Sequence, residues 1–232
     1  MAVFAAGRRF ARARIALARI FLGRCFWLFA ALLALVAFAP FVEPTPFGKL
    51  LLGGLNAFII VAAVATVGRS GMSFVIAVLL GVPAFVYQVL AQVTEDPIFL
   101  VHSWWFAMAM YAITIGYLLR YVFMRDVMTA DKLWGAAAAY LLLGAAWTFA
   151  YALVGHYHAD AFAIYGTPTP IDTIDLLYFS FTTLTSTGYG DITPLIRPAR
   201  SLCVIEQITG TLYLTILIAR LAGVYPPPRR PK

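Results

Sequence analysis

Long apolar runs dominate this chain and leave few folds open to it. Residues 25–42, 50–67, 72–92, 98–123, 133–154 and 201–222 are nearly free of charge, and a helix that crosses a bilayer needs ~20 such residues. Each run is continuous, which speaks against the period of two expected for strands of a membrane barrel. Only 12% of the residues are charged and 62% are hydrophobic, whereas about a quarter of the residues in a soluble domain carry charge. The expected fold class is an all-α membrane protein with six transmembrane helices.

The formal net charge of +7 is explained by its placement. Arg8, Arg9, Arg12, Arg14, Arg19 and Arg24, then Arg69, then Arg120, Arg125 and Lys132, then Arg220, Arg229, Arg230 and Lys232 fall on one side of the six segments. Lys49, Arg197 and Arg200 fall on the other, with most of the acidic residues. Cationic loops stay in the cytoplasm, so both termini are expected there, against anionic lipid and not nucleic acid.

Residues 1–24 form a basic cytoplasmic segment. Arg8, Arg9, Arg12 and Arg19 share one side of a helical projection, opposite Phe10, Leu17 and Phe21. That pattern suits a helix lying on the inner membrane surface, or equally a basic tail that sets topology. The basic start, the apolar run and Ala37-Phe38-Ala39 also resemble a cleavable leader, against which stand the length of the basic region and Pro40.

Residues 25–124 are expected to be four peripheral transmembrane helices. Their connections are punctuated by Gly, Pro and Asp, Pro83 is expected to kink the third segment, and Trp104 and Trp105 sit near the outer end of the fourth. That fourth segment has only Arg120 and Arg125, both at its cytoplasmic end. A voltage sensor carries arginine at every third position through the span, so voltage gating is not expected. Cys25 and Cys203 have no metal-binding spacing and suggest no bridge.

The last part of the chain changes character. Between the fifth and sixth segments lies an outer stretch, "GHYHADAFAIYGTPTPID", followed by "TIDLLYFSFTTLTSTGYGDITP". The apolar part of the second piece is too short to cross a bilayer, as expected for a re-entrant helix. Irregular backbone at membrane depth survives only where protein buries it or water lines it. Asp172 is placed to cap this helix and Asp175 to stand in its first turn. The C-terminal end then points inward, where its partial negative charge favours a cation.

Beyond that helix the chain must return outward. Gly188 and Gly190 accept positive φ, so successive carbonyls can aim the same way. Four copies around an axis would stack rings of oxygens from Ser186, Thr187, Gly188, Tyr189 and Gly190, with the Ser186 hydroxyl innermost, and replace a cation's hydration shell. Tyr189 is expected to pack outward against Tyr178 and Phe179, with Asp191 tying the mouth to that cuff.

The run Ser186-Thr187-Gly188-Tyr189-Gly190-Asp191 resembles the signature sequence of potassium channels, commonly written TVGYGD. "YFSFTTLT" resembles the matching pore helix, and "SLCVIEQITGTLYLTILIARLAG" resembles the inner helix of bacterial channels with a two-helix pore module. The chain departs from that pattern at Ser186, which keeps a hydroxyl where threonine is usual, and at Thr187, where valine is usual. The resemblance implies a pore domain over residues 125–232, with linker, outer helix 133–154, pore helix 173–185, filter 186–190 and inner helix 201–222. It implies a homotetramer that passes K+ passively and needs no cofactor beyond the transported ion. A weakly selective cation channel, a transporter subunit and a non-conducting assembly or sensor subunit are the rivals.

Gly210 stands where that family places its inner-helix hinge, or is a packing glycine. By the same spacing Thr211, Leu214, Ile218 and Ala222 are expected to face the pore as an apolar gate. Glu206 lies about 9 Å into the last span at 1.5 Å per residue. An acid there needs a partner; a brace to Thr182 or Thr183 behind the filter is favoured, and a protonation-dependent gate is the rival. His156 and His158, with Asp160, are candidates for an inhibitory metal site, or solvated residues of the outer loop. No Ser/His/Asp constellation or phosphate loop points to an enzyme. The short tail "YPPPRRPK" after the last span carries no ligand domain, so regulation by nucleotide or calcium is expected to need another protein. The compact design suits a bacterial inner membrane.

Overall fold

The computed structural model describes residues 23–41, 46–67, 71–94, 96–124 and 128–224. The expectations for the N-terminal arginines, for parts of the connections and for the C-terminal tail lie outside the described residues. The order is α1 (Arg24–Phe38), a 3-10 turn (Ala39–Phe41), α2 (Pro46–Val67), α3 (Gly71–Thr94), α4 (Pro97–Phe123) and α5 (Ala130–Tyr157). Then follow β1 (Phe162–Ile164), β2 (Thr167–Pro168), α6 (Thr173–Leu184), β3 (Ile192–Pro194) and α7 (Arg197–Val224).

Among the described residues four helices are long and apolar enough to cross a membrane, within Val75–Thr94, Pro97–Phe123, Ala130–Tyr157 and Arg197–Gly223. Cys25–Phe41 and Gly54–Ala63 are shorter apolar stretches among the described residues. α1 has 15 residues, or ~22 Å of helix against the ~30 Å of a hydrocarbon core, and the chain tightens into the turn containing Pro40. α3 continues through Pro83.

Local signals account for several helix starts. Asp96 accepts the Ile98 N–H at 2.9 Å with Pro97 in the first turn of α4, and Thr129 accepts from the Lys132 N–H at 3.3 Å at the start of α5. Asp131, one residue on, accepts from the Tyr121 hydroxyl at 3.0 Å and the Cys25 N–H at 3.3 Å. One carboxylate thus ties the end of α4 and the start of α1 to the start of α5.

α5 is the central element, packing on α1, α4, α6 and α7. Small residues make this possible, since Gly135, Ala136, Ala138, Ala139, Gly144 and Ala145 are all buried and let neighbouring backbones come close. Leu28 and Leu32 of α1, Ile59 of α2, Met110 and Leu118 of α4, and Leu142 of α5 form the core of the bundle. A second core joins Tyr151, Phe162, Leu176, Phe179 and Ile192. α7 is held by the Tyr213 hydroxyl, which donates to the Ala136 carbonyl at 2.5 Å.

The outer stretch is more ordered than a solvated loop, and it adds strand to a chain expected to be all-α. β1 pairs antiparallel with β2 and with β3, in the order β2-β1-β3. Phe162 stands opposite Pro194, Ala163 opposite Thr193 and Ile164 opposite Ile192. The β1–β2 connection is Tyr165-Gly166 with φ of 48° and 80°, the paired positive values of a type I′ hairpin turn. Ala161, Phe162 and Ala163 are buried, so this hairpin is anchored in the second core.

Candidate functional site

The site grows from the short helix α6. Asp172 caps it by accepting the Asp175 N–H at 2.8 Å. Its 12 residues amount to ~18 Å, too short to cross a hydrocarbon core. The apolar side holds Leu176, Phe179 and Leu184 against the bundle. Phe181 fills the space over Gly144, where an added Cβ would stand 2.7 Å from the ring.

After α6 the chain turns back on the helix end. The Thr185 N–H donates to the Phe181 carbonyl at 3.1 Å and the Ser186 N–H to Thr183 at 2.9 Å. The Thr182 carbonyl accepts two amides, from Thr187 at 2.8 Å and Gly188 at 3.1 Å. Positive φ occurs at Ser186 (57°), Gly188 (55°) and Gly190 (83°), and not at Thr187 or Tyr189. The N–H groups of residues 186–188 are thus turned back to α6, and the carbonyls of residues 186–190 accept no backbone hydrogen bond among the described residues. Residues 185–190 are all exposed in the single chain.

Ser186 is the one non-glycine in that alternation, and a left-handed residue with a Cβ costs ~1–2 kcal/mol. The amide bonds just named hold it there. The Thr187 hydroxyl lies 2.8 Å from that of Thr185, so it is engaged on the helix side.

Tyr178 and Asp191 meet just beyond residue 190. The Tyr178 hydroxyl donates to Asp191 Oδ2 at 2.7 Å, and the Tyr178 and Tyr189 rings are parallel, 6.4 Å apart with 2° between planes. Phe179 does not join them. It points into the second core, 5.1 Å from the Tyr151 ring and 5.6 Å from Phe162, because adjacent residues on a helix face about 100° apart. The Asp191 carbonyl accepts the Tyr165 N–H at 2.8 Å, so the hairpin also secures this end. The Tyr178 hydrogen bond holds the Asp191 carboxyl below its ordinary range, and the same bond pushes Tyr178 up to about 12. Asp175 moves the other way, raised by partial burial and then by Asp172 and Asp191.

Behind the helix lies a polar group that the sequence located only in part. Glu206 on α7 is fully buried. Its partners are neither Thr182 nor Thr183, as expected, but the Ser180 hydroxyl, which donates to Oε1 at 2.6 Å, and the Tyr151 hydroxyl, which donates to Oε2. Ser180 Oγ also lies 2.8 Å from the Gly144 carbonyl, which accepts from the Thr148 hydroxyl at 2.9 Å. A hydroxyl has one proton to give. An ionised carboxylate takes those of Ser180 and Tyr151, whereas a protonated one donates to Ser180, which then turns to Gly144. The group therefore closes in either protonation state, and it ties α5, α6 and α7 together. Tyr151 and Ser180 are the residues that sequence reasoning missed. The signal for Tyr151 was a phenol inside a spanning run, whose hydroxyl needs a partner when buried.

Gly210 is buried where α7 crosses the end of α6, and an added Cβ would collide with the Leu184 carbonyl oxygen. Of the two readings open from sequence, packing is the one these contacts carry; α7 is unbroken through Gly210. Thr211, Leu214, Ile218 and Ala222 are all exposed and lie along one stripe of α7. No group of three or more His, Cys, Asp or Glu among the described residues is arranged to hold a metal. The His156, His158 and Asp160 candidate is therefore not such a group, and His156 packs edge-on to Trp104 at 6.4 Å. Cys25 and Cys203 are buried, and no disulfide joins them.

A family model described as an ion channel matches residues 141–225. That stretch takes in most of α5, the hairpin, α6, the 186–190 segment and α7. No curated protein and no solved structure matches the chain.

Proposed function

We propose that this chain is one subunit of a homotetrameric potassium channel, in which K+ passes down its gradient through rings of carbonyls from residues 186–190. The observation that carries the reading is the alternation of positive φ at 186, 188 and 190 together with the amides tied back to α6. A row of carbonyls without backbone partners, enclosed at membrane depth by further copies, is costly unless something is coordinated there. One chain supplies one row, so a ring needs copies about a cyclic axis. The exposure of residues 185–190 and of the α7 stripe fits surfaces that other subunits complete.

In this reading α6 is the re-entrant pore helix, α5 and α7 are the outer and inner helices, and the helices before α5 are peripheral. Tyr178, Tyr189 and Asp191 hold the outer mouth, Thr182 anchors the filter through its carbonyl, and Glu206 braces the helix from behind. Thr211, Leu214, Ile218 and Ala222 line the inner pore. Both termini lie in the cytoplasm, in a bacterial inner membrane, with anionic lipid against the basic segment. Voltage does not drive opening.

The test is ion flux through purified protein in liposomes, with potassium or sodium as the permeant ion. Potassium flux well above sodium flux, lost in Gly188→Ala while the tetramer survives, is the expected result, because alanine at φ 55° is strained. Equal flux of both ions would replace the proposal with a weakly selective channel, to which Ser186 and Thr187 point. Absence of flux in intact tetramers under every condition of lipid and pH would remove the conducting role.

A further inference from the structure

A cavity of about 240 Å³ lies between the peripheral helices, α5 and the first two turns of α6. None of its lining residues is charged. Much of the wall is apolar, yet Asn56 of α2 and Gln88 and Gln92 of α3 also line it. Gln88 and Gln92 are one helical turn apart and share a face. The Ser103 and Thr148 hydroxyls in the wall are spent on the Leu100 and Gly144 carbonyls. The three carboxamides have no hydrogen bond among the described residues; Gln92 is exposed in the last turn of α3, whereas Asn56 and Gln88 are half-buried within their helices, where an amide at membrane depth needs a partner.

We infer that this cavity binds a neutral amphiphile, a molecule with a hydroxyl or ester head and a short apolar body. The carboxamides supply donors and acceptors to such a head, and the rest of the wall accepts its chain. Water alone would serve the carboxamides and leave the apolar wall unfavourably wet. A charged head would find no counter-charge in the lining and would bear the desolvation cost unaided. Thr173, Ile174 and Leu177 of α6 form part of the wall, so the occupant touches the helix whose far end holds residues 186–190. The same chemistry is offered by a free alkanol and by the acyl-glycerol part of a membrane lipid.

Trp104 lines the cavity and provides a readout that does not depend on ion flux, so failure here and failure of the channel reading are distinguishable. The full chain in liposomes is titrated with 8-bromo-1-octanol, and separately prepared with phospholipid brominated on its acyl chains. The Trp104 signal is taken as the difference between the natural chain and Trp104→Phe. The expected result is saturable quenching of Trp104, with half-saturation raised about tenfold in Gln88→Leu, as loss of one hydrogen bond implies. Asn56→Leu provides a second variant should the first not fold. Saturation by the alkanol points to a free amphiphile, and variant-sensitive quenching by the brominated lipid alone points to a membrane lipid. Quenching that rises in proportion to bulk partitioning and is the same in both variants overturns the site.

Discussion

A single hydroxyl holds the Asp191 side chain at the end of the 186–190 segment. Tyr178 donates to Asp191, and because that bond lowers the Asp191 pKa, its stabilising effect is complete above the unfolded carboxyl value, about 3.9. It is lost as pH falls through the still lower folded value. Asp175, raised by burial and by its acidic neighbours, has the opposite sign, since its charged form is the one the fold disfavours. Acidification below about pH 4 is therefore expected to loosen this contact in the natural chain, and Tyr178→Phe should remove most of that dependence. Thermal unfolding of the assembly from pH 7 to pH 3 measures both, and identical pH profiles would exclude the tether.

Glu206 makes the complementary case inside the protein. Glu206→Ala leaves the Ser180 and Tyr151 hydroxyls without their shared partner and opens a void, with an expected loss of about 2–4 kcal/mol. Glu206→Gln keeps an acceptor and a donor, matches the protonated pattern with Ser180 turned to Gly144, and should cost less than about 1 kcal/mol. Comparable destabilisation of the two variants in denaturant unfolding would argue against the hydrogen-bonded brace.

At the scale of elements, the contact between α6 and α7 depends on one missing side chain. An added Cβ at Gly210 meets the Leu184 carbonyl oxygen, a backbone atom that cannot turn aside as a flexible side chain would. Gly210→Ala should push α7 off α6, destabilise the fold by about 1–3 kcal/mol as overpacking does, and disturb the helix end on which residues 186–188 hang. Gly116→Ala on α4 is the matched control, since nothing lies within 4 Å of its added Cβ. Unfolding and potassium flux measured on the pair should separate them clearly. At the other end of α7, Arg220 Nη2 donates to the Met124 carbonyl at 2.9 Å. A residue that sequence placed only as a topology charge thus also links the end of α7 to the chain just after α4.

The whole molecule reads as an incomplete object on its own. Residues 185–190 and the Thr211, Leu214, Ile218 and Ala222 stripe are exposed together, on the side left open by the core around α5. If copies close around that side, Ile218→Cys should react with a cationic thiol reagent from the cytoplasmic face and block flux. The two natural cysteines are buried and give a quiet background. Persistent flux after complete labelling would put the stripe outside the conduction path.

Much of this organisation was legible from the chain alone, because its signals are local. Long apolar runs force helices, since only internal hydrogen bonding satisfies a backbone away from water. Asp172 and Asp96 mark helix starts through bonds spanning two or three residues, and Gly188 and Gly190 announce positive φ by lacking a Cβ. Tertiary structure decided what depends on distant partners. Ser186 has no intrinsic reason to be left-handed and is held so by carbonyls of α6. Thr182 and Thr183 looked able to serve Glu206, and only the rotation of α6 against α5 and α7 brought Ser180 to it instead, across 26 residues of sequence. The pairing of β1 with β3 likewise joins segments separated by a whole helix. Local chemistry reads out over a few residues, whereas these choices wait on how packed helices are turned toward one another.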